Sequence, residues 1–245
     1  MTPALSVVIP VRDEAPSVLP LLASVHRVLR GLARPYEVLL VDDGSTDDGV
    51  ARLKSAGDAV APLKIVVLDG GQGQSVALQA GFDAAQGEIL VSLDGDGQND
   101  PQDIPLLLAK LDEGCDVVCG WRHRREDPWS RKIASRLANA VRRRFTGERI
   151  HDVGCTLRAF RRPVLEKVHL SGGLHRMFTA LAARYGFRVE EVMVAHHPRR
   201  AGRSKYGNVG RLIEGTADLL TVLTLDAGRP MPRTPAPLVR EMIVL

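Results

Sequence analysis

The sequence predicts an α/β fold in which a mostly parallel sheet is flanked by helices. Short apolar runs alternate with segments of helical spacing from residue 5 to residue 120, and the apolar runs are rich in valine, isoleucine and leucine. Strands of that composition are typical of a parallel sheet that is covered on both faces. With 245 residues and 44% hydrophobic content, the chain is long enough to bury one such core.

The expected elements follow from the spacing of the apolar residues. Strands are predicted at Leu5–Val11, Tyr36–Val41, Leu63–Leu68, Glu88–Leu93, Asp116–Gly120 and Phe187–Val194, and Asp152–Arg162 is predicted to be a turn that leads into a strand. Helices are predicted at Ser17–Leu32, Asp47–Ala56, Val76–Ala85, Asp103–Leu111, Leu174–Tyr185 and Asn208–Leu225. Residues 1–225 should therefore form one domain that ends in a helix, and the proline-rich residues 226–245 should form a flexible tail.

A cluster of acids and glycines follows the fourth predicted strand. Asp94 and Asp96 alternate with Gly95 and Gly97, so two carboxylates lie close together on a backbone that can turn sharply. Carboxylate oxygens suit Mg²⁺ or Mn²⁺, and such ions keep positions open for substrate phosphates. An isolated pair of this kind is more often a polar turn. The other acid and glycine clusters are expected at the same edge of the sheet, and this shared placement favours a site.

Two of those clusters follow the second and third predicted strands. Asp42 and Asp43 have the chemistry of a turn with a helix cap, and they are also placed to bind a ribose or a base. The glycines Gly71 and Gly73 lack the third glycine of a dinucleotide-binding fingerprint, which argues against a nicotinamide dehydrogenase. They either make a turn or let the backbone approach a ligand at a helix N-terminus.

The charge is unevenly distributed. The net charge is +4, yet the segment from Trp121 to Arg149 holds ten Lys/Arg against three acids. Such a segment indicates an anionic partner, which could be nucleic acid, anionic lipid or a phosphorylated substrate. Aromatic residues are only 4% of the chain, which disfavours nucleic acid.

The sequence also indicates a compartment. Three cysteines without a paired spacing indicate a reducing environment, and no apolar stretch reaches the roughly 18 residues that span a bilayer. The first residues do not have the composition of a signal peptide. We therefore expect a cytoplasmic protein or one that lies on a membrane surface.

Five motifs occur along the chain in a characteristic order. They are Val8–Glu14, Val41–Asp47, Gly73–Ser75 with Gly81, Leu93–Pro101 and Arg203–Tyr206. In this order they resemble the family 2 glycosyltransferases, which have a Rossmann-like GT-A fold, and among them the polyprenyl-phosphate sugar transferases such as the dolichol-phosphate mannose synthases. The resemblance covers about residues 5–225. It implies a nucleotide-sugar-binding half at residues 5–120 and an acceptor-binding half at residues 121–225.

The resemblance also implies a role for individual residues. The donor would contact Pro10, Arg12, Glu14, Asp42, Asp43, Gly73, Gln74, Asp94, Gly95 and Asp96. Mg²⁺ or Mn²⁺ would be held by Asp94, Asp96 and Gln98, and the acceptor phosphate by Arg122, Arg131, Ser135, Arg203 and Lys205. The catalytic set would be Asp94, Asp96, Arg122, Arg131 and Asp152. The family often has Ala and Leu where Gly95 and Gly97 stand, and Asn in place of Gly71.

The function implied by the resemblance is metal-dependent, inverting transfer of a hexose. The donor would be GDP-mannose or UDP-glucose, and the acceptor a dolichyl or undecaprenyl phosphate at the cytoplasmic face of a membrane. The C-terminal membrane helices of many relatives are missing, so a separate membrane subunit is a further expectation. Two alternatives remain open. One is a soluble transferase with a saccharide or protein acceptor and Asp152 as base, and the other is a nucleotide-sugar-binding pseudoenzyme.

Overall fold

The structure is a computed structural model that describes residues 3–123, 150–198, 221–222, 224–226, 228–233 and 235–245. Its strands are β1 (Leu5–Val11), β2 (Tyr36–Asp42), β3 (Leu63–Leu68), β4 (Ile89–Ser92), β5 (Val117–Trp121), β6 (Arg158–Arg161), β7 (Val189–Met193) and β8 (Val239–Val244). Its helices are α1 (Ala15–Gly31), α2 (Gly49–Ala56), α3 (Gln74–Ala84), α4 (Ile104–Asp112) and α5 (Phe178–Arg184). The predicted helix at Asn208–Leu225 lies mostly outside the described residues.

The described strands form one eight-stranded sheet in the order β7-β5-β6-β4-β1-β2-β3-β8. β1 pairs in parallel with β2 and β4, β2 with β3, and β5 with β7. β6 runs antiparallel to its neighbours β4 and β5. The predicted α/β class, with a mostly parallel sheet flanked by helices, is confirmed. Because β6 is reversed, its first residue lies at the same edge as the carboxyl ends of β4, β1 and β2.

The sheet is the centre of the core, and β1 is its most buried strand. All seven residues of β1 are buried, which explains why its sequence is apolar without alternation. Helices α1, α2 and α4 pack on one face of the sheet, and α3 and α5 pack on the other. The second face contains a cluster of aromatic rings formed by Phe82, Phe160 and Phe178. Both faces are therefore covered, as the composition of the strands predicts.

The prediction of a flexible tail at residues 226–245 is wrong for the last residues of the chain. Val239–Val244 form β8, which pairs antiparallel with β3, and the backbone amide of Leu245 donates to the carbonyl of Leu63 at 2.8 Å. The prolines end at Pro237, and the residues after it are rich in the β-branched and apolar types that favour strands. β3 would otherwise be an open edge with unpaired backbone groups, which β8 covers.

Other differences concern boundaries. The expected helix over Leu174–Tyr185 begins as a 3₁₀ turn at Leu174–Met177 before α5. The remaining described elements match their predicted positions to within a few residues at each end. Within the described ranges, no helix is long and apolar enough to cross a bilayer.

Helix α3 packs directly on the sheet at Gly81, which has no side chain to hold the two apart. A Cβ atom at this position would lie 2.3 Å from Cγ1 of Val8 and 2.9 Å from Cγ2 of Val41. A side chain here would push the helix away from two buried strands. The distance between α3 and the sheet also places Gln74, the first residue of the helix, at the edge of the sheet.

We predict that Gly81→Ala lowers the free energy of unfolding by about 1–3 kcal/mol, because the added methyl group overpacks a rigid core. Gly31→Ala is the matched control, since no atom lies within 4 Å of a Cβ at this position in α1. The control should leave stability unchanged or raise it by up to about 1 kcal/mol. Urea unfolding followed by circular dichroism measures both. Equal effects of the two substitutions would contradict the close contact between α3 and the sheet.

Candidate functional site

The candidate site lies at the edge of the sheet where β1, β2 and β4 end and β6 begins. The loops at this edge contain Arg12–Glu14, Asp42–Asp47, Asp94–Asp100 and the residues that precede Arg158. Parallel strands bring their carboxyl ends together, and open α/β sheets bind ligands there. The polar residues that are far apart in the sequence therefore lie side by side.

Both carboxylate oxygens of Asp94 accept a hydrogen bond. The side-chain amide of Gln74 donates to Oδ1 at 2.8 Å, and the hydroxyl of Thr156 donates to Oδ2 at 2.7 Å. The backbone amide of Asp94 donates to Oδ1 of Asn99 at 3.2 Å. Donors from the start of α3 and from the segment before β6 thus fix the orientation of one carboxylate.

The charge environment of Asp94 fits a cation. The pKa of Asp94 is raised to about 6, mainly by burial and also by the nearby charge of Asp96, while the hydrogen bond from Thr156 opposes both effects. Asp96 is itself buried and accepts a hydrogen bond from the backbone amide of Gln98 at 3.0 Å. A divalent cation between the two carboxylates would offset their burial and their repulsion.

The ligand set for such an ion would be small. Among the residues that the structure describes, no group of three or more His, Cys, Asp and Glu side chains could hold a metal. An ion on Asp94 and Asp96 would keep its other positions for water or phosphate oxygens, as Mg²⁺ commonly does. The side-chain amide of Gln98 donates to the carbonyl of His197 at 3.4 Å, and its role as a third ligand stays a prediction.

The glycines of this loop match its path in the structure. A Cβ at Gly95 would lie 2.5 Å from Cγ1 of Val11 and 3.1 Å from the carbonyl oxygen of Pro10. The hydroxyl of Ser17 donates to the carbonyl of Gly95 at 2.9 Å, and Gly97 has a φ of +73°. In this chain the loop therefore packs directly on the end of β1, and a larger residue at either glycine would displace it.

The loops that follow β1 and β2 are joined by hydrogen bonds. Asp13 accepts from the backbone amide of Thr46 at 2.8 Å, and Asp47 accepts from that of Ala15 at 2.9 Å. Between the loops is a small cavity whose lining includes Val11, Glu14, Leu40, Asp42, Ser45 and Asp47. Burial raises the pKa of Asp42. Glu14 and Asp42, both predicted to contact the donor, thus share one cavity.

Asp43 serves a different structural purpose from its neighbour Asp42. Its Oδ1 accepts from the backbone amides of Gln72 and Gly73 at 2.6 and 3.0 Å, and Oδ2 lies 3.8 Å from Nη1 of Arg12. The buried carboxylate holds the glycine loop that precedes Gln74. Gly71 leaves room for Arg12, because a Cβ there would lie 2.3 Å from Nη1. A direct contact of Asp43 with the donor stays a prediction.

Arg122 and Asp152 form a bidentate ion pair. Nε of Arg122 donates to Oδ2 of Asp152 at 2.7 Å, and Nη2 donates to Oδ1 at 2.9 Å. Burial alone would lower the pKa of Arg122, but the hydrogen bonds and the charge of Asp152 raise it. The positive charge of Arg122 also lowers the pKa of Asp94. Two predicted catalytic residues are therefore brought together, and both oxygens of Asp152 are already engaged.

The structure adds residues that the sequence analysis did not single out. Thr156 and Asn99 hold Asp94, as described above. Arg158 is 2% exposed and donates to the carbonyls of His175 and Val153 at 2.7 and 2.9 Å. No local pattern marks Thr156, because its partner Asp94 is 62 residues away in the sequence, whereas Asn99 lies within the Leu93–Pro101 motif. Four predicted acceptor-binding residues lie outside the described part of the chain, namely Arg131, Ser135, Arg203 and Lys205.

Sequence comparison confirms the resemblance. The profile of Glycosyl transferase family 2 matches residues 6–169. The chain is 40% identical over 224 residues to the dodecaprenyl-phosphate galacturonate synthase of Rhizobium johnstonii, covering 89% of the chain and 66% of that protein. It is 40% identical over 220 residues to the undecaprenyl-phosphate 4-deoxy-4-formamido-L-arabinose transferase of Serratia proteamaculans, covering 89% and 67%. The chain thus spans about two thirds of the length of these relatives.

Structural comparison agrees on the fold. Glucosyl-3-phosphoglycerate synthase of Mycobacterium tuberculosis in complex with phosphoglyceric acid superposes with a TM-score of 0.68 at 20% identity, covering 94% of this chain and 81% of that one. The same enzyme with Mn²⁺, uridine diphosphate and phosphoglyceric acid gives a TM-score of 0.67 at 20% identity, with coverage of 91% and 80%. At this identity the similarity supports a shared fold.

We predict that Thr156→Val weakens Mn²⁺ binding by roughly tenfold, because the hydroxyl that orients Asp94 is lost. Thr179→Val in α5 is the matched control, since the Thr179 hydroxyl is also buried but has no hydrogen-bond partner in the described part of the chain. The control should bind Mn²⁺ as the wild type does. Electron paramagnetic resonance of free Mn²⁺ measures the affinity. Equal losses in both variants would show that the hydroxyl of Thr156 has no particular role.

We also predict that Mn²⁺ binding weakens in acid. With a pKa of about 6, Asp94 is ionised above this pH and protonated below it. Protons and the metal compete for the same carboxylate, so the apparent affinity should fall about fourfold from pH 7.5 to pH 5.5. The same resonance titration at the two pH values is the measurement. A constant affinity across this interval would contradict either the raised pKa or the role of Asp94 as a ligand.

Proposed function

The chain belongs to glycosyl transferase family 2, and from this premise we propose that it transfers a sugar from a nucleotide sugar to a polyprenyl phosphate. The observation that carries the proposal is the placement of Asp94 and Asp96. They lie between the cavity lined by Glu14 and Asp42 on one side and the Arg122–Asp152 pair on the other. The names of both relatives describe sugar transferases that act on a polyprenyl phosphate.

The donor would lie along the edge of the sheet. Its nucleoside lies against the loops after β1 and β2, where Glu14 and Asp42 offer acceptors. Its diphosphate lies beside Asp94 and Asp96. A Mg²⁺ or Mn²⁺ ion held there would neutralise the diphosphate leaving group as a Lewis acid. Gln74 and Thr156 keep the Asp94 carboxylate in one orientation, so the site needs little rearrangement when the donor binds.

The acceptor side follows from Arg122. Asp152 holds the guanidinium through Nε and Nη2, and Nη1 has no hydrogen-bond partner among the described residues. An arginine fixed in this way can grip a phosphate oxygen without first losing side-chain freedom. The predicted residues Arg131, Ser135, Arg203 and Lys205 would complete the phosphate site. The basic segment from Trp121 to Arg149 would then hold the enzyme at an anionic membrane surface on the cytoplasmic side, with or without a membrane subunit.

The reaction would be a single displacement with inversion. A lipid phosphate is an anion near neutral pH, so its oxygen can attack the anomeric carbon directly. The new bond from this oxygen to the anomeric carbon forms as the bond to the diphosphate oxygen breaks, and the electron pair leaves with the nucleoside diphosphate. No proton has to be removed. This chemistry agrees with an Asp152 whose two oxygens are occupied by Arg122.

The transfer itself is tested with labelled nucleotide sugars and a polyprenyl phosphate in the presence of Mg²⁺ or Mn²⁺. The nucleotide sugars to be tested are GDP-mannose, UDP-glucose and UDP-galacturonate. UDP-galacturonate is included because one relative is named for galacturonate. We expect label in the organic phase with one donor, and loss of this label in Asp96→Asn. Nucleotide binding without lipid product from any donor would contradict the polyprenyl phosphate acceptor. Label in a saccharide or a protein instead would support the alternative of a soluble transferase.

We predict that Asp152→Asn raises the KM for the lipid phosphate by about tenfold and changes kcat little, because Arg122 loses its anchor. A general base would behave differently, since its loss lowers kcat by about 10²–10⁴-fold and alters the pH profile. Initial rates at pH 6 to 9 with varied lipid phosphate separate the two roles. A large fall in kcat at unchanged KM would favour Asp152 as the base of a different transferase.

A further inference from the structure

His175 is held against the first turn of α3 by a buried serine. The backbone amide of His175 donates to Oγ of Ser75 at 3.1 Å, and the same Oγ lies 2.8 Å from Nδ1 of the imidazole. Ser75 is 1% exposed, and Nδ1 is the only acceptor within reach of its hydroxyl among the described residues. The hydroxyl hydrogen is therefore assigned to the bond with Nδ1. This assignment places the ring hydrogen of His175 on Nε2.

The ring is neutral at physiological pH. Burial lowers the pKa of His175 to about 3, and the positive charges of Arg158 and Arg176 act in the same direction. A neutral imidazole with its hydrogen on Nε2 is a donor that neither gains nor loses charge over the working range of an enzyme. Such a group suits an uncharged or anionic oxygen of a ligand.

Nε2 has no protein partner in the described part of the chain. His175 is half-buried, and its Nε2 atom is accessible to solvent. This oriented donor is therefore available to a ligand.

The position of His175 relative to Asp94 indicates which part of a ligand the His175 side chain would contact. Ser75 follows Gln74, whose side chain donates to Asp94, and Arg158 at the start of β6 donates to the carbonyl of His175. Along the sheet edge, the loops proposed for the nucleoside follow β1 and β2, Asp94 follows β4, and β6 is next in order. A nucleotide sugar has its sugar on the far side of the diphosphate from its nucleoside. With the diphosphate at Asp94, the sugar extends toward β6 and His175.

We propose that His175 donates a hydrogen bond from Nε2 to an oxygen of the transferred sugar, and that it helps to select the donor. This inference rests on the proposed function, because it places the diphosphate at Asp94 and Asp96. Ser75 is the positioning residue that fixes the tautomer. The contact is absent when the nucleotide carries no sugar, which gives it a signature that a purely structural histidine lacks.

The test compares two ligands that differ only in the sugar. Affinities of the full chain for GDP and GDP-mannose, and for UDP with UDP-glucose and UDP-galacturonate, are measured by titration calorimetry with Mn²⁺. We expect His175→Ala to weaken binding of the preferred nucleotide sugar by about three- to tenfold and to leave the affinity for its nucleoside diphosphate within about twofold. His175→Gln, which keeps an N–H donor, should recover part of the loss. Ser75→Ala should give an intermediate effect.

The outcomes separate the proposal from the proposed function. Equal losses for the nucleotide sugar and the bare diphosphate would show that His175 only supports the loop, and no loss for either would show no contact. Both results overturn the inference even when the wild type transfers sugar to lipid phosphate. Selective loss of sugar affinity supports the inference, and it does so even when the acceptor is not a lipid. A wild-type chain that binds none of the nucleotide sugars overturns both. Thermal unfolding of each variant controls for folding.

Discussion

The Asp94 carboxylate lies where three distant parts of the chain meet, and the geometry of the site depends on it. Gln74 from α3 and Thr156 from the segment before β6 each donate to one of its oxygens, while Asn99 holds its backbone amide. Each of these contacts requires a correctly assembled sheet edge. Gly81 sets how closely α3 approaches the sheet, and Gly95 sets how closely the acidic loop approaches β1. A displacement of any of these elements would rotate the carboxylate.

The charges around the site follow a simple electrostatic pattern. Burial and the repulsion by Asp96 raise the pKa of Asp94, and the charges of Arg122 and Arg158 partly compensate. Arg122 is in turn neutralised by Asp152 at bidentate distance. Buried charges are tolerated when each has a partner or a hydrogen bond. The site thus keeps two acids available for a cation while its basic residues are fixed by the protein.

The neighbouring acids Asp42 and Asp43 have different surroundings at this edge of the sheet. Asp42 lines the cavity, whereas the adjacent Asp43 holds the glycine loop before Gln74 through two backbone amides. Neighbouring acids after one strand point to opposite sides, so one can face a ligand while the other organises a loop. A substitution at Asp43 would act on the position of Gln74 and, through it, on Asp94.

The sequence by itself determined the fold class, most of the described strands and helices within a few residues, and the place of Asp94 and Asp96 at a strand end. Apolar periodicity reports how deeply each residue is buried in its own element, and this is a local property. The partners of Asp94 and the pairing of β8 with β3 were decided only by the tertiary structure. Thr156 is 62 residues from Asp94 in the sequence. β8 is the last strand of the chain, and most of the sequence separates it from its partner β3. Such contacts depend on the order of strands in the sheet, which no local pattern encodes.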